Sequence, residues 1–228
     1  ISFFKLNQAV LGRCPQKQKL DINISYVIII ICVLSQAFST QNIIIRKVKK
    51  MNVFVGCSSS ALQPEVYKTS CDVAKQIARW IVANRHNYVF GASSNGLMGV
   101  IYHEIRKHPS KSKVIAVTLK CFEQDLDNLE CDNCFILDSL KERKKVLFGN
   151  SDILIFLPGR SGTIDELLSA IFTKISHEHE KEIIIFNPYG YFDLLIHSIN
   201  EGFGGKRSEN LFRLASTEQQ MMSLLSSI

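Results

Sequence analysis

The residues with the most to offer chemically sit in three short, small-residue turns and on one helix face. Ser58-Ser59-Ser60, the stretch from Gly91 to Gly99 that includes Met98, and Gly159-Arg160-Ser161-Gly162-Thr163 each pair Gly or Ser with a following helical pattern. Backbone N–H groups in such turns are unhindered and stand beside a helix N-terminus, the arrangement an anionic phosphate seeks. Three of them on one sheet edge point to a nucleotide or sugar phosphate. Gly91-Ala-Ser-Ser-Asn-Gly96 lacks the middle glycine of GxGxxG, and no GxxxxGK[ST] occurs, which argues against dinucleotide redox chemistry and ATP hydrolysis.

Two charged positions stand next to these turns. Thr163-Ile-Asp-Glu166 has the S/T-x-x-E spacing of a capping box, in which Glu166 satisfies only an N-terminal amide. Set against that, Ile164, Leu167, Leu168, Ile171, Phe172 and Ile175 share one helix face and Glu166 lies roughly opposite, which puts a carboxylate at the mouth of the loop. In Leu140-Lys-Glu-Arg-Lys-Lys-Val-Leu147, Arg143 and Lys144 interrupt a stripe that a core helix would make apolar. Either they snorkel along a solvated edge, or Arg143 enters the cleft and orients the carboxylate or clamps the phosphate by a bidentate contact.

The elements that must position these residues alternate between β-branched runs and helical spacing, the pattern of βαβ units. The spacing predicts strands at 53–55, 88–90, 114–119, 152–157 and 182–186, with a short strand or extended piece from Phe212. Helices are expected over 64–84, 97–107, 139–149, 163–175 and 191–200, with another closing the chain, and a polar, acidic loop over 122–133 leads through Phe135-Ile-Leu137. The fold class is α/β, a Rossmann-like three-layer domain with a parallel sheet flanked by helices. Ligands of such sheets lie outside the carboxyl ends of the strands, where all three turns fall.

Of the 27 Lys and Arg, eight lie in residues 1–50 with only Asp21 of the 21 acidic residues; the 19 basic and 20 acidic residues left in 51–228 give that part a charge of −1. A nucleic-acid partner, such as a single-stranded DNA, loses its electrostatic support. The apolar run from Tyr26 to Leu34 is too short to span a bilayer. Residues 1–50 read as a leader or an extraneous upstream segment without stable structure, and 51–228 as the folded domain. Lys17, Lys19 and Ala37-Phe-Ser39 resemble signal-peptide features, but seven scattered cysteines read as free thiols of a reducing, cytoplasmic compartment. Neither Cys131/Cys134 nor His177/His179 has the companion ligands a metal site requires, so no metal is expected.

Pro158-Gly-Arg-Ser-Gly-Thr-Ile-Asp-Glu166 together with Glu142-Arg-Lys144 and Gly96-Leu-Met-Gly99 strongly resembles the Lonely Guy family of cytokinin-activating phosphoribohydrolases, formerly often labelled lysine decarboxylases. The likeness spans residues 51–228, and the family's loop reads PGGxGTxxE. It implies Arg143 and Glu166 as the catalytic pair. Gly159, Ser161, Gly162 and Thr163 would hold a 5′-phosphate with Lys144 assisting, and Ser59, Gly91 and Met98 would complete the substrate site. It further implies a homodimer or larger assembly and no metal or organic cofactor. The expected reaction is hydrolysis of the N-glycosidic bond of a plain or N6-modified adenosine 5′-monophosphate to free base and ribose 5-phosphate. A non-catalytic nucleotide or cofactor carrier on the same scaffold is the alternative. Two positions depart from the family: Arg160 replaces the second loop glycine, and Gly91-Ala-Ser93 replaces a triple glycine. At a position needing φ > 0, Arg160 would cost about 1 kcal/mol or more and crowd the ligand; otherwise its guanidinium adds a phosphate contact.

Overall fold

The strand cores are so uniformly apolar that they must be covered on both faces. Val53, Phe54, Val55, Leu154, Ile155, Phe156, Ile183, Ile184 and Ile185 are all fully buried, as expected of a parallel sheet sandwiched between helices. The structure, a computed structural model, describes residues 49–108, 111–202 and 210–228. Expectations for residues 1–48 lie outside the described residues.

In chain order the elements are β1 (Asn52–Gly56), α1 (Pro64–Ala83), β2 (Asn87–Phe90), α2 (Gly96–Arg106), β3 (Val114–Leu119), a 3-10 segment (Lys120–Asn128), β4 (Asn133–Leu137), α3 (Leu140–Gly149) and β5 (Ile153–Phe156). They continue with α4 (Ser161–Ile175), β6 (Glu182–Phe186), a 3-10 turn (Pro188–Gly190), α5 (Asp193–Gly202), β7 (Arg213–Ala215) and α6 (Glu218–Ser226). The strands form one sheet in the order β4-β3-β2-β1-β5-β6-β7, with each pairing parallel. The order runs outward from β1 to β4, then returns to the other side of β1 at β5. This reversal between β1 and β5 is a topological switch point, where strand-end loops diverge and open a crevice.

Strand alternation divides the core in two. Val53, Val55, Tyr88 and Phe90 pack with Ile77, Ile81, Ile101 and Met221 on one face. Phe54, Leu154 and Phe156 meet Leu147, Leu167, Ile171 and Phe192 on the other. Phe54 anchors the second layer, with ring edges against Phe148 at 5.9 Å and Phe156 at 5.6 Å.

Several boundaries differ from the sequence expectation. Phe135-Ile-Leu137 belongs to a seventh strand, β4, paired to β3 from Asn133 to Leu137, and the loop before it is largely 3-10. Helix α4 begins at Ser161, two residues ahead of Thr163, with Arg160 as N-cap and no side-chain cap. The anticipated capping box therefore does not form there; one forms between Thr217 and Gln220 at α6 instead. The inward face of α4 is also rotated from the expected one: Leu168 and Phe172 are 39% and 59% exposed, while Glu166 is buried at 4%.

Candidate active site

Ser58 ties the three turns together. Its N–H donates to the Pro158 carbonyl (3.2 Å), and its own carbonyl accepts from Leu97 N–H (2.8 Å) and Met98 N–H (3.4 Å). The loops after β1, β2 and β5 are thus fixed to one another by backbone bonds. Gly96 makes the approach possible: its φ is +57°, and a Cβ there would stand 2.6 Å from the Ser58 carbonyl oxygen.

These loops enclose a cleft of about 270 Å³ whose wall includes Ser58, Ser59, Ser60, Gly91, Met98, Arg143, Arg160, Gly162, Thr163 and Glu166. At one side stands the N-terminus of α4, where the first intrahelical bond runs from Ile164 N–H to the Arg160 carbonyl (3.1 Å). The preceding N–H groups of the first turn are without helical acceptors, and the helix dipole adds partial positive charge. That end suits a phosphate.

Glu166 lies one turn along the same helix. Arg143, from α3, donates through Nη1 to Glu166 Oε1 (2.8 Å) and through Nε to the Val117 carbonyl at the end of β3 (3.1 Å). Arg143 therefore enters the cleft instead of snorkelling. Gly91 gives it room, since a Cβ there would overlap the Arg143 guanidinium. The side chains are 14% and 5% exposed, so this is a desolvated ion pair rather than a surface one. Burial pushes the Glu166 carboxyl above its ordinary range, while the Arg143 charge and hydrogen bond pull the other way. Burial prevails, and the carboxylate is a stronger base than an exposed one. Cys57 beneath it is buried, and burial together with the Glu166 charge holds its thiol well up; this cysteine is not an activated nucleophile.

The remaining residues fall unevenly. Lys144 turns away from the cleft, donating to Asp165 Oδ1 and Ser169 Oγ (both 2.9 Å) and lining a separate groove of about 810 Å³ between α3 and α4. Arg143 and Lys144 are one residue apart, about 100° around the helix, so only one of them can face the cleft. Ser161 is exposed and absent from the cleft wall. Gly159 sits behind it, pressed on Thr163, its carbonyl accepting from the Tyr191 hydroxyl (2.9 Å).

The two departures have opposite outcomes. Arg160 adopts φ −85°, so no backbone strain arises, and its guanidinium is drawn to the rim by the Ala61 carbonyl (2.8 Å from Nη2). Ala92 instead occupies φ +62°, the left-handed region that a glycine would fill freely.

Sequence reasoning missed Leu119, Phe122, Asp125 and Leu140 in the cleft wall. The signal was there in the loop after β3, an aromatic residue followed by acidic ones, and passed as a mere connection. Among the described residues, no group of three His, Cys, Asp or Glu is placed to hold a metal. His177 pairs with Glu180 at 3.6 Å and His179 contacts the Ala170 carbonyl at 3.1 Å, each serving a turn. No described helix is long and apolar enough to cross a membrane.

An open parallel α/β sheet with a desolvated Arg–Glu pair beside an anion-receptive helix end defines a Rossmann-like protein of the kind the sequence resembled. The family described as possible lysine decarboxylase matches residues 98–225, more than half of the chain, and the chain belongs to that family, the Lonely Guy family. A cytokinin riboside 5′-monophosphate phosphoribohydrolase of Arabidopsis thaliana is 27% identical over 178 residues, covering 76% of each chain. A protein of the same name from Mycobacterium marinum (strain ATCC BAA-535 / M) is 26% identical over 144 residues, covering 63% of this chain and 74% of its own. Among solved structures, the molybdenum cofactor binding protein of Rippkaea orientalis superposes with TM-score 0.59 at 17% identity, covering 78% of this chain and 97% of its own. The molybdenum cofactor carrier protein of Chlamydomonas reinhardtii gives 0.54 at 14%, covering 78% and 98%. At such identities the structural likeness speaks for the fold alone.

Proposed function

We propose that the protein hydrolyses the N-glycosidic bond of adenosine 5′-monophosphate or an N6-modified form of it, releasing free base and ribose 5-phosphate. The observation that carries this reading is the buried Arg143–Glu166 pair, 2.8 Å apart, beside an amide-lined helix N-terminus. The phosphate binds the first-turn amides of α4 and the serine loop after β1, with the Arg160 guanidinium at the rim. Glu166, anionic, faces the anomeric carbon. As the bond to the base lengthens, positive charge grows on the ribose ring and the carboxylate stabilises it. Water adds to the anomeric carbon, Glu166 takes one of its protons, and the departing base leaves with the bonding pair and takes up a proton. Arg143 acts as a positioning residue that favours the ionised form of Glu166.

The names of the relatives support the same reading, as does the matching PGRSGTIDE loop. In this reading the enzyme is a homodimer or larger assembly working in the cytoplasm, with no metal or organic cofactor. Exposed Leu168 and Phe172, one turn apart on α4, supply an apolar face close to the site. Purified protein incubated with AMP and with isopentenyladenosine monophosphate is expected to release base, followed by chromatography. Glu166→Gln is expected to abolish release while nucleotide still binds. Tight binding with no release from either nucleotide by the wild type refutes hydrolysis and favours a nucleotide or cofactor carrier.

A further inference from the structure

The 3-10 segment after β3 gives little to the core: none of its residues from Lys120 to Asn128 is fully buried, and Leu126 packs against the core only in part. Yet Phe122 and Asp125 from this segment line the cleft. Phe122 is a large apolar side chain left 56% exposed, with no aromatic partner among the described residues. Folding gains little from such a ring. The Asp125 carboxylate has no hydrogen bond or ion pair among the described residues, whereas other cleft charges, Arg143, Glu166 and Arg160, are engaged. A flat apolar surface and an unused acceptor, three positions apart in a segment that kinks at Phe122, stand together on the cleft wall.

Their place in the sheet says what they face. The anion-receptive end follows β5 and the Phe122 segment follows β3, with β1 and β2 between them. Three strand spacings separate those ends, roughly 14 Å, a span that an extended mononucleotide bridges. With phosphate at α4 and the glycosidic bond at Glu166, the base lies toward β3.

Resting on the proposed nucleotide hydrolysis, we infer that Phe122 and Asp125 form a base-recognition wall that selects 6-aminopurines: the ring stacks on the purine and the carboxylate accepts from the exocyclic N–H. A singly N6-substituted adenine keeps one such N–H and is admitted; an adenine with two N6 substituents offers none. Stacking on Phe122 is indifferent to the amino group, so Asp125 carries the discrimination.

The test compares AMP with purine riboside 5′-monophosphate, which is AMP without its amino group. The ratio of kcat/KM values for the two is measured in wild type and in Asp125→Ala; taking the quotient of ratios cancels their different leaving-group chemistry. We expect the AMP preference to fall about tenfold in the variant, the effect of losing one hydrogen bond to a charged acceptor. Phe122→Ala is expected to raise KM for both nucleotides by about tenfold while inhibition by ribose 5-phosphate, which has no base, is unchanged. An unaltered AMP preference in Asp125→Ala, or weaker ribose 5-phosphate inhibition in Phe122→Ala, overturns the inference with the hydrolysis reading intact. If no nucleotide is hydrolysed, calorimetric binding of the same three compounds decides it: loss of the AMP preference in Asp125→Ala sustains the wall although the reaction is refuted, and no loss overturns it.

Discussion

Replacing Arg143 by Ala isolates what the ion pair does, because the two partners respond to pH in a calculable way. At a charge separation of roughly 4 Å and an effective dielectric near 20, the pair is worth about 4 kcal/mol, and removing one partner of a buried pair typically costs about 3–5 kcal/mol. The buried carboxylate has an escape: it protonates. Burial already raises Glu166, and Arg143→Ala removes the two influences of Arg143 that oppose the rise, so the folded-state value climbs further. A group raised in the folded state contributes stability that is present at low pH and lost as pH rises through the folded value. The destabilisation of Arg143→Ala is therefore largest at alkaline pH. It narrows by about 1.4 kcal/mol per pH unit between the variant's raised value and the wild-type one. Urea unfolding over a pH series measures it, with Arg143→Ala/Glu166→Gln as the companion. The double variant carries no buried anion and should regain most of the loss at high pH. A loss that is the same at every pH, with no recovery in the double variant, refutes the claim that the two side chains share a desolvated charge pair.

The acid limb of the kcat/KM profile should lie above the ordinary carboxylate range, since the reaction needs ionised Glu166 and burial raises it; a limb in the ordinary range contradicts this. Gly91→Ala should push the Arg143 guanidinium off its site, lowering kcat by about 100-fold and lowering the urea midpoint, most at alkaline pH, because the buried Glu166 carboxylate loses its partner; an unchanged midpoint at high pH shows that the guanidinium was not displaced. Ala92→Gly relieves about 1–2 kcal/mol of left-handed strain but loses about 0.8 kcal/mol for a buried methyl and about 0.5–1 kcal/mol of backbone entropy. Its stability should stay within about 1 kcal/mol of wild type, and a shift beyond about 2 kcal/mol in either direction shows that one of those contributions is misjudged. Leu168→Glu should convert a dimer to monomer in sedimentation, and a monomeric wild type removes the dimer from the proposal.

Much of the scaffold was legible because its signals are local. Runs such as Ile153 to Phe156 and Glu182 to Phe186 are short, β-branched or aromatic and bounded by polar turns, which leaves little choice but buried parallel strands. Strand β4 escaped because it is an edge: Cys134 and Ile136 are exposed although apolar, so the alternation that turns Phe135 and Leu137 toward the core does not show in residue type. The wheel for α4 fixed relative angles correctly but not the direction of the core. Leu168 and Phe172 are apolar without being inward, and only the packed sheet shows that Leu167 and Ile171 face it. The meeting of Arg143 with Glu166 spans 23 residues; its motif spacing hinted at it, whereas the diversion of Lys144 to Asp165 depends on which flank of α3 meets α4. Of the two outcomes weighed at Arg160, strain does not arise there but at Ala92, because an N-cap residue takes an extended conformation that any side chain tolerates.

In the proposed reaction helix α4 serves two demands that pull against each other. Its first turn must present unpaired amides and positive dipole to a phosphate, and its second turn must hold a carboxylate negative in a site that burial makes hostile to charge. The same dipole that attracts the phosphate favours an anionic Glu166, but a bound phosphate opposes it as a like charge. Arg143 resolves the conflict from outside the helix: anchored on the Val117 carbonyl, it brings a fixed positive charge between sheet and helix without adding a donor to the phosphate end. Lysine at that position would lose the second anchor, since a single ammonium cannot present the planar, divergent donors that reach Val117 and Glu166 together. The pair thus requires Arg in particular, and Gly91 opposite it, for reasons that belong to the geometry of the cleft rather than to the stability of the sheet.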